Sequence, residues 1–181
     1  SQLSGDLPRP RMCERLLTCR HLGAGLPSVT PRKSPPGKGK GVKNQVQTGV
    51  ERLKRRLKTL QLEMVIIAGD GNCQFRSVAQ QLYGCESHHD FVRAATVQYM
   101  CEHATHFGVF FEGGGEGAEF RRYLQKMRRG RTWGDELTLR GICNSLGCHI
   151  HVVTSTEKNW YLKYDPDTEH TNKQVFLCYI S

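Results

Sequence analysis

Cys73 stands at the point where an apolar run gives way to a helical pattern. Residues 64–68 are apolar, Gly69 and Gly71 can turn the chain, and residues 75–82 repeat apolar side chains at helical spacing. This order predicts a turn that places Cys73 in the first turn of a helix. Backbone N–H groups and the helix dipole favour a thiolate there, and the same groups can hold an oxyanion. The pattern therefore indicates a nucleophilic cysteine, although a lone cysteine is more commonly a buried structural residue.

The run DGNCQFRS, residues 70–77, closely resembles the nucleophile motif of the ovarian-tumour (OTU) family of cysteine peptidases. Further matches extend over about residues 60–181 and include QLYG (81–84), a helix start (87–93), TWGD (132–135) and VFLCYIS (175–181). The resemblance implies a papain-like fold and an enzyme that removes ubiquitin from proteins. It also marks Asp70 and Cys73 as matched active-site positions.

Asp70 lies three residues before Cys73 and is expected to brace the turn. It is a poor candidate for the base, because a carboxylate close to a thiol raises the pKa of that thiol and opposes its activation. We expect the carboxylate to accept N–H groups of the loop and so to shape the oxyanion site. The predicted donors to the oxyanion are backbone N–H groups around Gly71, Asn72 and Cys73.

The expected general base is absent from the sequence. A cysteine nucleophile needs a group that takes its proton and returns it to the leaving amine, and imidazole suits both steps near neutral pH. In OTU enzymes this histidine follows the last core strand, typically in a His-Tyr-Asn motif, whereas the sequence ends at Ser181. We therefore expect residues 1–181 alone to be nearly inactive. We expect no substitute among the other histidines considered, which are His21, His88, His89, His149, His151 and His170.

Cysteine and histidine also come together around residues 143–151. The spacing of Cys143, Cys148, His149 and His151 matches no common zinc arrangement. A strand over residues 148–154 would place Cys148 on the face opposite the two histidines. We accordingly predict no metal site, and nothing in the sequence indicates a cofactor.

The net charge of +9 is concentrated at the amino-terminal end. Residues 1–60 carry 14 Lys and Arg against 3 Asp and Glu, whereas residues 61–181 carry 12 against 14. Residues 1–49 are rich in Pro, Gly, Lys and Arg without sustained apolar periodicity, and we predict a disordered basic leader there. Such a leader could bind polyanions weakly through salt-dependent contacts, with no interleaved aromatics to read a sequence.

Residues 50–181 are predicted to form one α+β domain in which a small mixed sheet is flanked by helices. A basic helical pattern begins at Val50, and capping-box spacings begin at Ser87 and Thr132, ahead of further apolar stripes. Three strands are predicted towards the end of the chain, over residues 148–154, 159–164 and 175–180. Helices first and strands last suit a papain-like OTU fold.

The eight cysteines show no framework spacing and follow no secretory segment, which favours reduced thiols in an intracellular protein of the cytoplasm, the nucleus or both. No apolar run is long enough to span a membrane. We expect a monomer whose partner is ubiquitin or ubiquitinated protein. The leading hypothesis is a deubiquitinating cysteine peptidase. The alternative is a catalytically inactive module that binds ubiquitin or a regulatory partner, and a third hypothesis makes the basic leader a tether for RNA or acidic surfaces.

Overall fold

The structure is a computed structural model that describes residues 15–20, 41–168 and 172–180, with side chains from residue 48 onward. Its helices are α1 (Gly41–Thr59), α2 (Cys73–Tyr83), α3 (His89–Glu102), α4 (Ala104–Phe107), α5 (Ala118–Arg128) and α6 (Glu136–Leu146). Its strands are β1 (Arg15–Arg20), β2 (Glu63–Ile66), β3 (His149–Thr154), β4 (Tyr161–Tyr164) and β5 (Gln174–Ile180). None of the described helices is long and apolar enough to cross a membrane.

The five strands form one mixed sheet in the order β2-β1-β5-β3-β4. β1 runs parallel to both β2 and β5, β5 runs parallel to β3, and β4 runs antiparallel to β3. Helices cover both faces. The predicted α+β class, with a small mixed sheet flanked by helices, is therefore confirmed.

Two parts of the predicted leader have secondary structure. Residues 15–20 form β1 in the interior of the sheet, and α1 begins at Gly41, nine residues before the predicted start at Val50. The rest of the leader lies outside the described residues. Strand β1 is stabilised by its position, because its backbone groups pair with β2 on one side and β5 on the other. The short sequence of residues 15–20 does not by itself predict this pairing.

The core divides between the two faces of the sheet because successive residues of a strand point to opposite faces. On one face Ile150 and Val175 pack with buried side chains of α2, α3 and α6. On the other face Val153 and Phe176 pack against Leu53 and other residues of α1. Helix α2, which begins at the cysteine, is thus anchored on one face of the sheet through Phe75, Val78 and Ala79.

Two helix starts differ from their predictions. Helix α6 is capped by Asp135, whose side chain accepts the backbone N–H of Thr138 while the Thr138 hydroxyl accepts the N–H of Asp135. The capping box therefore lies one turn later than the predicted start at Thr132. Helix α3 begins at His89 without a side-chain cap, because Ser87 lies in a preceding 3₁₀ turn and contacts Cys85.

We expect Thr18→Pro to destabilise the protein. Thr18 pairs with Ile66 on one side and Cys178 on the other, so proline removes a ladder hydrogen bond in the interior of the sheet and leaves an acceptor unsatisfied. The expected loss is about 1–3 kcal/mol of unfolding free energy, measured by urea denaturation. Thr18→Val is the matched control, since it keeps the N–H and a β-branched side chain. Equal stability of the two variants would show that β1 does not form part of the sheet.

Candidate active site

Cys73 is the first residue of α2, and Asn72 is the residue before it at the helix start. Gly71 has a left-handed backbone with φ of 82°, and a Cβ at this position would lie 2.1 Å from the carbonyl oxygen of Arg131. Both facts restrict position 71 to glycine. The structure therefore places the cysteine where the sequence predicts it, in the first helical turn after a glycine-bent loop.

Asp70 holds this loop through its carboxylate. Oδ1 accepts the backbone N–H of Asn72 at 2.9 Å, and Oδ2 accepts the Asn72 side-chain amide at 3.0 Å and Arg76 Nη2 at 2.9 Å. The hydrogen bond from Arg76 is the main reason that the pKa of Asp70 lies well below its usual range, and the two bonds from Asn72 lower it further against the effect of burial. At neutral pH Asp70 is thus a carboxylate that fixes the turn.

Asn72 contributes its side chain as well as its backbone. Its Oδ1 accepts a hydrogen bond from Arg93 Nη2 at 2.8 Å and another from the backbone N–H of Arg131 at 2.7 Å. Since the backbone N–H of Asn72 is donated to Asp70, this group is not directed at an oxyanion in the present conformation. Sequence reasoning considered only the backbone of Asn72 and missed its cross-linking side chain.

The segment that follows α5 lies against the first turn of α2 and forms a wall of the site. Gln74 donates from Nε2 to the carbonyl oxygen of Asp135 at 3.1 Å and accepts the Thr138 hydroxyl at 2.7 Å. A Cβ on Gly134 would lie 1.8 Å from Gln74 Oε1, so the two segments touch closely. The capping box of α6 is therefore part of the same hydrogen-bonded unit as the first turn of α2.

The Cys73 side chain itself is 2% exposed and packs with Ile67 and Val65. It shares this small cluster with the strand that leads into the loop, and it lies next to the buried polar network described above. The Cys73 side chain is therefore almost completely covered in this conformation.

The described histidines of the sheet have structural partners of their own. His149 Nδ1 lies 2.6 Å from Asp165 Oδ1, and His151 Nδ1 lies 2.6 Å from the Tyr161 hydroxyl. The His151 ring also stacks on Phe176, and burial is the main cause that lowers its pKa. Within the described part of the chain, no three His, Cys, Asp or Glu side chains are grouped so that they could hold a metal ion. His21 and His170 lie outside the described residues.

Residues 68–181 match the family model described as OTU-like cysteine protease. The protein named OVARIAN TUMOR DOMAIN-containing deubiquitinating enzyme 9 of Arabidopsis thaliana is 35% identical over 129 residues, which cover 71% of this chain and 36% of that protein. Ubiquitin thioesterase otu2 of Schizosaccharomyces pombe is 28% identical over 123 residues, which cover 65% of this chain and 40% of that protein.

A solved structure has a similar fold. The structure of the OTUD1 OTU domain superposes with a TM-score of 0.64 at 21% identity, and the match covers 77% of this chain and 93% of that domain. This likeness concerns the fold alone. The chain spans little more than a third of the length of the Arabidopsis relative.

Ionised Asp70 should make the unfolding free energy of the protein depend on pH in the acid range. Because folding lowers the pKa of this carboxyl, its contribution to stability is present above the unfolded-state value of about 4 and is lost as the pH falls below it. We expect Asp70→Asn to cost about 1–2 kcal/mol of unfolding free energy at pH 7, and we expect the difference from wild type to shrink as the pH approaches 2.

Urea unfolding at a series of pH values measures this difference. Glu51→Gln is the matched control, since Glu51 is exposed on α1 and its neutralisation should leave stability within about 0.5 kcal/mol of wild type. A difference between Asp70→Asn and wild type that stays constant from pH 7 to pH 2 would contradict the assigned role of the carboxylate.

Proposed function

Because the chain belongs to the OTU-like cysteine protease family, we propose that it is a deubiquitinating cysteine peptidase that cleaves peptide or isopeptide bonds at the carboxyl end of ubiquitin. The resemblance recognised in residues 70–77 is confirmed at the level of the family and of the fold. The observation that best supports the activity is the position of Cys73 in the first turn of α2, behind a turn fixed by Gly71 and Asp70.

In the proposed reaction the Cys73 thiolate attacks the carbonyl carbon of the terminal glycine of ubiquitin. The carbonyl π electrons move to oxygen, and this oxyanion is held by the backbone N–H of Cys73 and other free N–H groups of the first turn of α2, since the N–H of Asn72 is donated to Asp70. When the carbonyl re-forms, the C–N bond breaks and the amine leaves with a proton. Water then attacks the thioester, which releases ubiquitin with a free carboxylate and regenerates the thiol.

The proton transfers of both steps require a general base, and we propose that residues 1–181 do not supply one efficiently. The family resemblance places this histidine in a His-Tyr-Asn motif after the last strand, and residues 1–181 contain no such motif. His149 and His151 contact Asp165 and Tyr161, which supports a structural role for each. Removing a base from a catalytic triad lowers the rate by several powers of ten, because its members act as a unit.

Chemical rescue tests this proposal. We expect residues 1–181 to release a fluorophore from the carboxyl end of ubiquitin-aminomethylcoumarin slowly, and we expect added imidazole to raise that rate in proportion to its concentration. Imidazole in solution replaces the missing base, whereas the nucleophile stays in the protein. The control Cys73→Ala should show no hydrolysis with or without imidazole, while Cys85→Ala should behave as wild type, since Cys85 is exposed and lies just beyond the opposite end of α2.

Two results would contradict the proposal in different ways. A high rate without imidazole and with a bell-shaped pH profile would show that one of the eight histidines already serves as the base. Binding of ubiquitin with no imidazole-dependent hydrolysis would instead support the alternative, a module that binds ubiquitin without cleaving it.

A further inference from the structure

Arg93 is a charged side chain in the interior of the protein. It lies in the first half of α3, it is 3% exposed, and the carbon of its guanidinium lies 4.0 Å from the centre of the Phe75 ring. Burying a cation carries a large desolvation penalty, and here burial is the main cause that lowers the pKa of Arg93. Such a charge persists in an interior only where hydrogen bonds and nearby negative charge compensate for the lost water.

The hydrogen bonds of Arg93 go to uncharged oxygens on three segments. Nη1 donates to the carbonyl oxygen of Met127 at 3.0 Å, in the last turn of α5. Nη2 donates to Asn72 Oδ1 at 2.8 Å, to the carbonyl oxygen of Thr132 at 2.9 Å and to that of Gly71 at 3.2 Å. One nitrogen therefore joins the two residues before Cys73 to the wall of the site formed after α5.

The negative charge that compensates for Arg93 is not supplied by a direct ion pair, since none of the ion pairs among the described residues includes this side chain. Three acidic groups interact with it through space and raise its pKa: Asp90, Asp70 and Cys73. Asp70 is bound by Arg76, and Asp90 is exposed at the surface. Cys73 makes the smallest of the three contributions, but it is the buried member and directly follows Gly71 and Asn72, which Arg93 holds by hydrogen bonds. Charges attract more strongly where water is excluded.

We propose that Arg93 is a positioning residue for the reaction, which fixes the Gly71–Asn72 turn ahead of Cys73 and stabilises the negative charge of the Cys73 thiolate. This inference rests on the proposed function, in which Cys73 is the nucleophile. Arg93 acts through the cysteine and its loop. A residue that only held the loop in place would not change the pKa of the Cys73 thiol. A residue that also stabilises the thiolate would lower this pKa, and the pKa can be measured.

The pH profile of Cys73 alkylation by iodoacetamide separates the two roles. The rate is followed for each cysteine by peptide mass spectrometry in wild type, Arg93→Gln and Arg93→Lys. We expect the midpoint of the Cys73 profile to rise by about 1–3 pH units in Arg93→Gln, which loses the charge, and to stay near wild type in Arg93→Lys, which keeps it. The exposed thiols of Cys85 and Cys101 are internal references whose midpoints should not move.

Equal midpoints for Cys73 in wild type and a folded Arg93→Gln variant would overturn the proposal, even if the limiting rates differed. If Arg93→Gln does not fold, the unfolding free energy of wild type is compared with that of Cys73→Ser between pH 6 and pH 9. A thiolate stabilised by folding makes the advantage of wild type grow as the pH rises towards about 8.5, the unfolded-state pKa of cysteine. An advantage that does not grow with pH would overturn the proposal. Both measurements omit ubiquitin, so they can succeed or fail independently of the proposed function.

Discussion

Asn72 accepts two hydrogen bonds through one side-chain oxygen, from Arg93 in α3 and from the backbone of Arg131, and the position of the nucleophile depends on this junction. The loop before Cys73 is short and contains two glycines, so its own sequence leaves it many conformations. The close contact of Gly71 with the carbonyl of Arg131 selects one of them. Loss of the Asn72 hydrogen bonds or of the Gly71 contact would let the loop adopt other conformations while α2 stays packed on the sheet.

The position of the cysteine loop also depends on the amino-terminal segment, through the sheet. β2 leads into the cysteine loop, and in the strand order it is an edge strand whose only neighbour in the described sheet is β1. β1 in turn joins β2 to β5 and to the rest of the sheet. Part of the segment that composition marks as a basic leader thus lies between the strand that precedes the nucleophile and the main core. Strand β1 therefore links the strand before the cysteine loop to the rest of the sheet.

Sequence reasoning located the features that depend on local pattern and missed those that depend on tertiary contact. The helix start at Cys73, the glycine turn and the strands over β3 and β5 follow from spacing and composition, and the structure contains them. The burial of Arg93 could not be predicted from the sequence, because a charged residue is rarely buried. The buried face of α3 consists of Val92, Arg93, Thr96, Val97 and Met100, whereas the apolar Phe91 is exposed. Only the acceptors supplied by distant segments explain why this arginine can lie inside.

The role of Cys73 as the nucleophile can be tested with a ubiquitin whose carboxyl end carries a vinyl sulfone. The chain is incubated with this probe in the presence of imidazole, and the modified cysteine is identified by peptide mass spectrometry. We expect an adduct on Cys73 alone, although Cys85 and Cys101 are far more exposed, because recognition of ubiquitin should bring the electrophile to the first turn of α2. Modification of the exposed cysteines with Cys73 untouched would contradict the assignment of Cys73 as the nucleophile.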